Sequence, residues 1–452
     1  MTFKKRPQQF FEHFFKCTKK IVGEKMRKQS RKRITMIDAT EISDARINSQ
    51  DFLDKAKKRP EDFTRNRKLP FTKLVIFMLG MIKVSIQVAL DRFFESICEE
   101  DVHMAQQSFS ESREKIRWVA FHDLYKVIID PIYDHYYETW HGYRVSAIDG
   151  SKVQLPDDPQ LRDFFGTMGK NSTAATGQGS VLYDVYNNVL IDAQLEPLTI
   201  CERTLALRHI DELCKMASFD KELIIFDRGY PSFELIEALI IRGISFLMRV
   251  KRGFNSSIDQ LSEGDHRGIM LRRGGHEDIC LRVIKFTLSS GEEETLVTDI
   301  ADKRMGIKAF KELYFKRWPV ETKYDEIKNK LDIENFSGRT VNAIMQDFFI
   351  TMYMSNLIAI ACWEAQEDVD DERTLKDNKY NYHVNVNLAV GTLKERFILA
   401  LLEKNPRKRR KKVRRILFLI AQHPAPTRPD RSKPRNTSPR NAKFRHNRKS
   451  NC

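Results

Sequence analysis

At 452 residues, 41% of them hydrophobic, the chain is long enough to bury an ordinary core in roughly two to four structural units, and its composition excludes a disordered polymer. The net charge of +16 is spread unevenly: residues 404–452 hold 18 basic side chains and one acid, residues 1–33 hold 12 basic and two acidic, and residues 34–403 are left with −11. Two cationic arms on an acidic centre are not what a small-molecule enzyme needs, and they suit a polyanionic partner, nucleic acid first among them.

The basic N-terminus, Met1-Thr-Phe-Lys-Lys-Arg, is not followed by the apolar stretch of a secretory signal. Residues 1–140 predict mainly helix, because segments such as 68–82 and 118–129 combine helical spacing with few turn formers. The two most apolar segments are 71–90, interrupted by Lys73 and Lys83, and 348–363. The second is shorter than the roughly 20 residues that span a bilayer, so both predict buried helices and no membrane role. Strand signals begin at Tyr143: residues 143–155 look extended, and 179–195 look like a hairpin turning at Asn187-Asn188. A helix over 202–216 follows, and then Leu223-Ile-Ile-Phe226, an apolar run bounded by charge that predicts a central strand buried on both faces. A helix over 232–242 and a strand over 244–250 complete the series strand, strand, strand, helix, strand, helix, strand. That series is the ribonuclease-H-like order, so the expected fold class is α/β.

From 251 to 300 the pattern changes to short alternating strands separated by Gly274-Gly275 and Ser289-Ser290-Gly291, which reads as a small β insertion. A strongly charged helix is expected over 307–331, with an apolar helix over 340–363 packed behind it. For the extreme tail, 427–452, rich in Pro, Arg, Asn and Ser, disorder is the plain expectation, and disorder does not exclude DNA binding. The seven cysteines (17, 98, 201, 214, 280, 362, 452) include no CxxC, which supports neither a zinc ribbon nor a disulfide framework and fits a reducing cytoplasm.

The candidate chemistry lies in carboxylates. Asp149 is expected at the end of the first strand and Asp227 just after the buried one, where side chains in an open sheet converge on a ligand. Taken singly, Asp149-Gly150 and Asp227-Arg228-Gly229-Tyr230 read equally as turns. The charged helix carries Tyr314, Arg317, Glu321 and Lys328 at offsets of three, four and seven, which places them on one stripe of an ideal helix. A solvated i,i+4 face is the plainer explanation of such charge, and Pro319 is expected to bend the stripe at Trp318-Pro319. Glu312, Asp325 and Glu326 are rivals for the third carboxylate. His122, His141, His209 and His276 lack metal-ligand spacing and read as surface or core histidines.

The pattern Tyr314-x2-Arg317-x3-Glu321-x6-Lys328 matches the Tyr-Arg-Glu-Lys signature of the insertion sequence 4 family of bacterial transposases, and the segment 331–339 resembles family sequence as well. In that order, the Asp149-Gly150 and Asp227-Arg228-Gly229-Tyr230 contexts are similar to the family's first and second catalytic aspartates. The resemblance covers about residues 70–365. It implies a DDE catalytic core of ribonuclease-H-like fold over 141–250 and 301–365, with the β insertion at 251–300. A helical, basic DNA-binding region would occupy 1–140, and a helical region with a basic tail 366–452. The resemblance also implies catalysis by Asp149, Asp227 and Glu321, which would hold two Mg²⁺ or Mn²⁺ ions, Asp149 bridging both. Arg317 and Lys328 would grip phosphates, and Tyr314 would pack against a base or phosphate. The implied activity is cleavage at the ends of a mobile element and strand transfer into target DNA, by a homodimer in the bacterial cytoplasm at the nucleoid, with no small-molecule cofactor. An inactive DNA-binding descendant and a nuclease without strand transfer are the competing readings. Some relatives place a base-stacking tryptophan in the insertion; here the four Trp (118, 140, 318, 363) all lie outside it, leaving Phe254 and Phe286 as substitutes or as core residues.

Overall fold

A computed structural model of the chain describes residues 32–65, 67–99, 101–169, 174–374 and 380–427. The first 31 residues and the extreme tail from 428, where disorder is expected, lie outside the described residues.

Residues 32–134 are helical, as the spacing predicts: α1 (Met36–Ile47), α2 (Gln50–Ala56), α3 (Phe71–Leu79), α4 (Ile86–Ser96), α5 (Gln106–Glu114), α6 (Val119–Lys126) and α7 (Ile129–Asp134). Thr35 starts α1 with a capping box: its hydroxyl accepts from the Asp38 amide, and the Asp38 carboxylate accepts from the Thr35 amide. Helix α3 is apolar nearly all round and buried along most of its length. Phe77, on α3, meets Phe93 and Phe109 edge-on at 5.1 and 5.2 Å. From α5 the buried Arg113 reaches into the C-terminal half of the chain, donating to Gln346, the Ala343 carbonyl, Ser337 and Asp347.

The central sheet has eight strands in the order β3-β2-β1-β4-β5-β8-β7-β6. β1 (Arg144–Gln154), β2 (Thr176–Asp184) and β3 (Val189–Pro197) form an antiparallel meander whose tip holds Asn188 at φ 54°. Helix α8 (Pro159–Phe165) lies between β1 and β2. β4 (Glu222–Phe226) and β5 (Ser245–Val250) run parallel to β1. Parallel neighbours need crossovers, and α9 (Glu202–Cys214) and α10 (Phe233–Ile241) supply them. This is the ribonuclease-H-like arrangement. β4 is buried at all five positions, as its apolar run predicts, and each of its Leu, Ile and Phe side chains contributes about 1.5–3 kcal/mol of burial.

At the start of β1 and β4, Arg144 and Glu222 face each other in register with side chains 1% exposed, joined by two hydrogen bonds of 3.0 and 2.5 Å. The Tyr133 ring stacks 4.1 Å from the guanidinium.

One expectation needs correction. Asp149 does not end its strand: β1 runs on to Gln154, still paired with β2, after its pairing with β4 has stopped at Ala147. The segment after Lys251 does contain short strands, β6 (Gly264–Leu271), β7 (Ile279–Thr287) and β8 (Glu293–Thr298), with α11 (Ser256–Asp259) before them. β8 pairs antiparallel with β5, so the three strands extend the central sheet at its edge.

The charged helix is broken where Pro319 predicts a bend, into α12 (Ile307–Phe315), α13 (Trp318–Asp325) and a π-helical turn over Glu326–Lys330. Behind it runs α14 (Val341–Thr374). Its most apolar window is 83% buried by the rest of the chain, which makes it a core helix; Asn356 fastens it to β3 by exchanging hydrogen bonds with both backbone groups of Leu190. α15 (Val386–Leu401) and α16 (Pro406–Ala421) pack together, and short strands β9 (Asn381–His383) and β10 (Ala425–Thr427) pair. Within the basic run from 404, residues 406–421 form α16, whose buried stripe is Val413, Ile416, Leu417 and Ile420.

Candidate active site

The register of the sheet brings the two aspartates together. Arg144 pairs with Glu222 and Ala147 with Ile225, each separated by 78 residues. The same spacing separates Asp149 from Asp227, so the β1–β4 register, carried two residues past Ala147 and Ile225, sets the two aspartates beside each other. Both are half-buried. Asp149-Gly150 is therefore not a turn, whereas Asp227 opens a true one, with the Tyr230 amide donating to its carbonyl at 3.1 Å.

The broken helix lies across this end of the sheet and is tied to it at three points. The Tyr314 hydroxyl donates to Asp227 Oδ1 at 3.2 Å. The Tyr324 hydroxyl donates to the Asp149 carbonyl at 2.9 Å. Lys328 Nζ donates to the Lys152 carbonyl at 2.6 Å and lies 3.8 Å from Glu334. Glu321 falls between the two tyrosines in sequence and accepts from Arg317 Nη2 at 3.0 Å. The single ideal stripe gives way to two short helices and a π turn, a single-turn device frequent at functional sites, and Lys328 lies in that turn beside the β1 backbone.

The rivals of Glu321 are engaged elsewhere. Glu326 is buried in an ion pair with Lys323 at 2.8 Å, Asp325 accepts from Asn329, and Glu312 is exposed near Lys308.

Burial pushes the Asp149 carboxyl up to about 6, opposed by the Gly150 amide and Arg317 and reinforced by the negative charges of Glu321 and Glu202. Burial likewise raises the Tyr314 phenol, and the Asp227 charge adds to it. Tyr230 is 2% exposed with an unpartnered hydroxyl. Acidic oxygens crowded together in a partly dry site are what a divalent cation relieves, and all-oxygen donors are the ligands Mg²⁺ and Mn²⁺ prefer. The donor set fits such ions. Among the described residues, however, no three His, Cys, Asp or Glu side chains are already gathered around one point: Arg317 holds one oxygen of Glu321 and Tyr314 one of Asp227.

Three residues near the site were not singled out from sequence: Tyr324, Gln178 and Glu202. A Cβ on Gly150 would lie 2.8 Å from Glu202 Oε1 and 3.0 Å from Gln178 Nε2. A glycine inside a strand pattern, which often marks close approach by another group, was the available signal.

His209 belongs to the core, as its lack of spacing predicts. It joins Asp192 at 2.7 Å and Ser180 at 2.9 Å. The trio has the composition of a nucleophilic triad, but all three members are buried, so it serves as a brace between α9 and the meander. Phe286 is buried beneath Lys311, 4.4 Å above its ring, and Phe254 is packed against the core. Phe286 therefore offers no open stacking face.

Residues 140–357 match the transposase DDE domain. The matched stretch contains Asp149, Asp227, Tyr314, Arg317, Glu321 and Lys328. InsZ of Escherichia coli (strain K12), a candidate transposase, is 26% identical to this chain over 156 residues, 33% of this chain and 50% of InsZ. The chain thus spans about half the length of that curated relative. Among solved structures, the cryo-EM structure of a piggyBac transposase synaptic complex with hairpin DNA aligns over 83% of this chain and 85% of its own, with a TM-score of 0.46 and 11% identity.

Proposed function

We propose that this chain is a DDE transposase of the insertion sequence 4 type that cuts DNA at the ends of its mobile element and joins the freed 3′ hydroxyls to target DNA. The observation that carries the reading is the parallel register of β1 and β4, which sets Asp149 beside Asp227 just past β4, with the Glu321 helix tied to both by Tyr314 and Tyr324. Asp149, Asp227 and Glu321 would hold two Mg²⁺ or Mn²⁺ ions. Bound there, such ions activate an attacking oxygen and stabilise a leaving one.

The chain's own residues do the rest. Tyr314 orients the Asp227 carboxylate by donating to one of its oxygens. Arg317 neutralises Glu321 in the DNA-free state and, on exchanging that partner for a phosphate, leaves the carboxylate open. Its guanidinium suits a phosphate because the planar fork can donate twice. Lys328 sits where a strand passing β1 would meet it. Beyond the core, α16 presents Arg407, Lys408, Lys411, Arg414 and Arg415 on its exposed side, while Arg409, Arg410 and Lys412 are spent on Asp44, Glu41 and Glu403. That face supports sequence-independent contact with DNA phosphates. Action as a homodimer bridging two ends, in the bacterial cytoplasm, belongs to the same proposal.

The test is cleavage and strand transfer on DNA bearing the element's terminal sequences with Mg²⁺, comparing the wild type with Glu321→Ala. Joined product from the wild type and none from the variant, with end binding retained, supports the reading. Cleavage without joining makes the protein a nuclease, and end binding without cleavage in either form makes it a DNA-binding protein of transposase descent.

A further inference from the structure

The first turn of α9 is strapped over the same end of the sheet as the two aspartates. On one side Glu202 Oε1 accepts from Gln178 Nε2 at 3.4 Å and occupies the space a side chain at position 150 would need. On the other, Arg203 Nη2 donates to the carbonyl of Gly229 at 3.3 Å, in the loop that Asp227 opens. Gln178 is 2% exposed, and Lys152 Nζ donates to its carboxamide oxygen, which turns the amide nitrogen toward Glu202. Glycine at 150 therefore has a specific consequence: the Glu202 carboxylate lies against the backbone next to Asp149.

We propose that Glu202 is a fourth acidic residue of this centre, supplying a further oxygen ligand to a divalent cation on the Gly150 side. The inference rests on the cation-binding reading of Asp149, Asp227 and Glu321. A second observation points to a ligand at the same place. Tyr230 is buried and its hydroxyl has no hydrogen-bond partner; the charges acting on it most strongly are those of Asp149, Glu202 and Asp227. An unpaired buried hydroxyl is costly, and a hydrated cation or a phosphate oxygen among those three carboxylates would pair it. Glu202 is solvent-exposed as a residue, so a cation can reach it without rearrangement of the fold. An acid in the first turn of a helix also favours the helix dipole. That role alone would affect stability and leave cation affinity untouched.

Calorimetric titration of the full-length protein with Mn²⁺ alone separates the two. Glu202→Gln keeps the size of the side chain and removes the charge; Gly150→Ala keeps the charge and pushes the carboxylate away. Both variants should weaken Mn²⁺ binding about tenfold or more, the usual loss when a supporting ligand is removed. Glu212→Gln, at a half-buried acid on the same helix paired with Lys215, should bind as the wild type does. If Asp149→Asn loses Mn²⁺ while Glu202→Gln keeps wild-type affinity, Glu202 is not a ligand and the inference is overturned. Failure of the wild type itself to bind Mn²⁺ would overturn the cation reading of the whole centre, and this inference with it.

Discussion

Arg144 and Glu222 hold β1 and β4 at the register that sets Asp149 beside Asp227, and their loss is calculable. Arg144→Met removes both bonds to Glu222, the 3.3 Å contact with Ser218 and the stack on Tyr133. It strands a carboxylate that is 1% exposed, with only a 3.5 Å contact from the Asp220 amide. Breaking one side of a buried pair costs about 3–5 kcal/mol, whereas replacing both partners by apolar residues of similar volume is often near neutral. Against a typical stability of roughly 5–15 kcal/mol, the single variant is severely weakened. Arg144→Met/Glu222→Leu should recover most of the loss. The assay is urea unfolding followed by circular dichroism, run as a double-mutant cycle. A pH series adds the sign. Burial raises the Glu222 carboxyl, and in Arg144→Met the opposing charge is gone, so the deficit should be small near pH 4 and grow as pH rises and the stranded group must ionise. A single-variant cost below about 1 kcal/mol, or a double variant as weak as the sum of the singles, would refute the register-lock argument.

Further outcomes follow from other parts of the molecule. Burial alone would raise the Asp192 carboxyl, yet His209 and Lys126 hold it well below the usual range. It therefore stabilises the fold above its unfolded pKa, about 3.9, and that contribution is lost as pH falls below. Asp192→Asn should be less stable than wild type at pH 7, and the gap should narrow between pH 4 and pH 2 in melting curves; a constant gap counts against the brace. On α16, reversing Lys408, Lys411 and Arg414 to Glu should flatten the dependence of log affinity on log salt by up to about three units for duplex DNA, with melting unaffected because the buried stripe is intact. An unchanged slope removes this face from the DNA-binding surface. Truncation at 404 is the poorer test, since it also strips Val413, Ile416, Leu417 and Ile420 from the core.

The strand order was legible because each strand carried a local signature: an extended run from Tyr143, an Asn-Asn hairpin, and Leu223 to Phe226 bounded by charge. Partner choice was not. Alternation marks β6, β7 and β8 as strands, but the pairing of β8 with β5 is a contact between distant segments that no period encodes. Asp227 could be placed from the end of a buried run, whereas Asp149 was misplaced because Gly150 looks like a turn and its true constraint, the Glu202 carboxylate, lies on another element. Pro319 foretold the break in the charged helix. The π turn that carries Lys328 had no such marker. In α16, a dense run of Lys and Arg masked a buried stripe at i, i+3, i+4 and i+7 that is plain once the helix is seen.

The central claim is that Asp149, Asp227 and Glu321 act as one cation-dependent unit on DNA. Single-turnover cleavage of element-end DNA with Mg²⁺ should be measured for Asp149→Asn, Asp227→Asn, Glu321→Gln and the Asp227→Asn/Glu321→Gln pair, at equal DNA occupancy. Each single variant should lose about 10²-fold or more, by analogy with removal of one group that stabilises a developing charge. The pair should lose little beyond either single, because residues acting as a unit are not additive. A single variant that cleaves at the wild-type rate, or a pair whose losses multiply, would contradict the account.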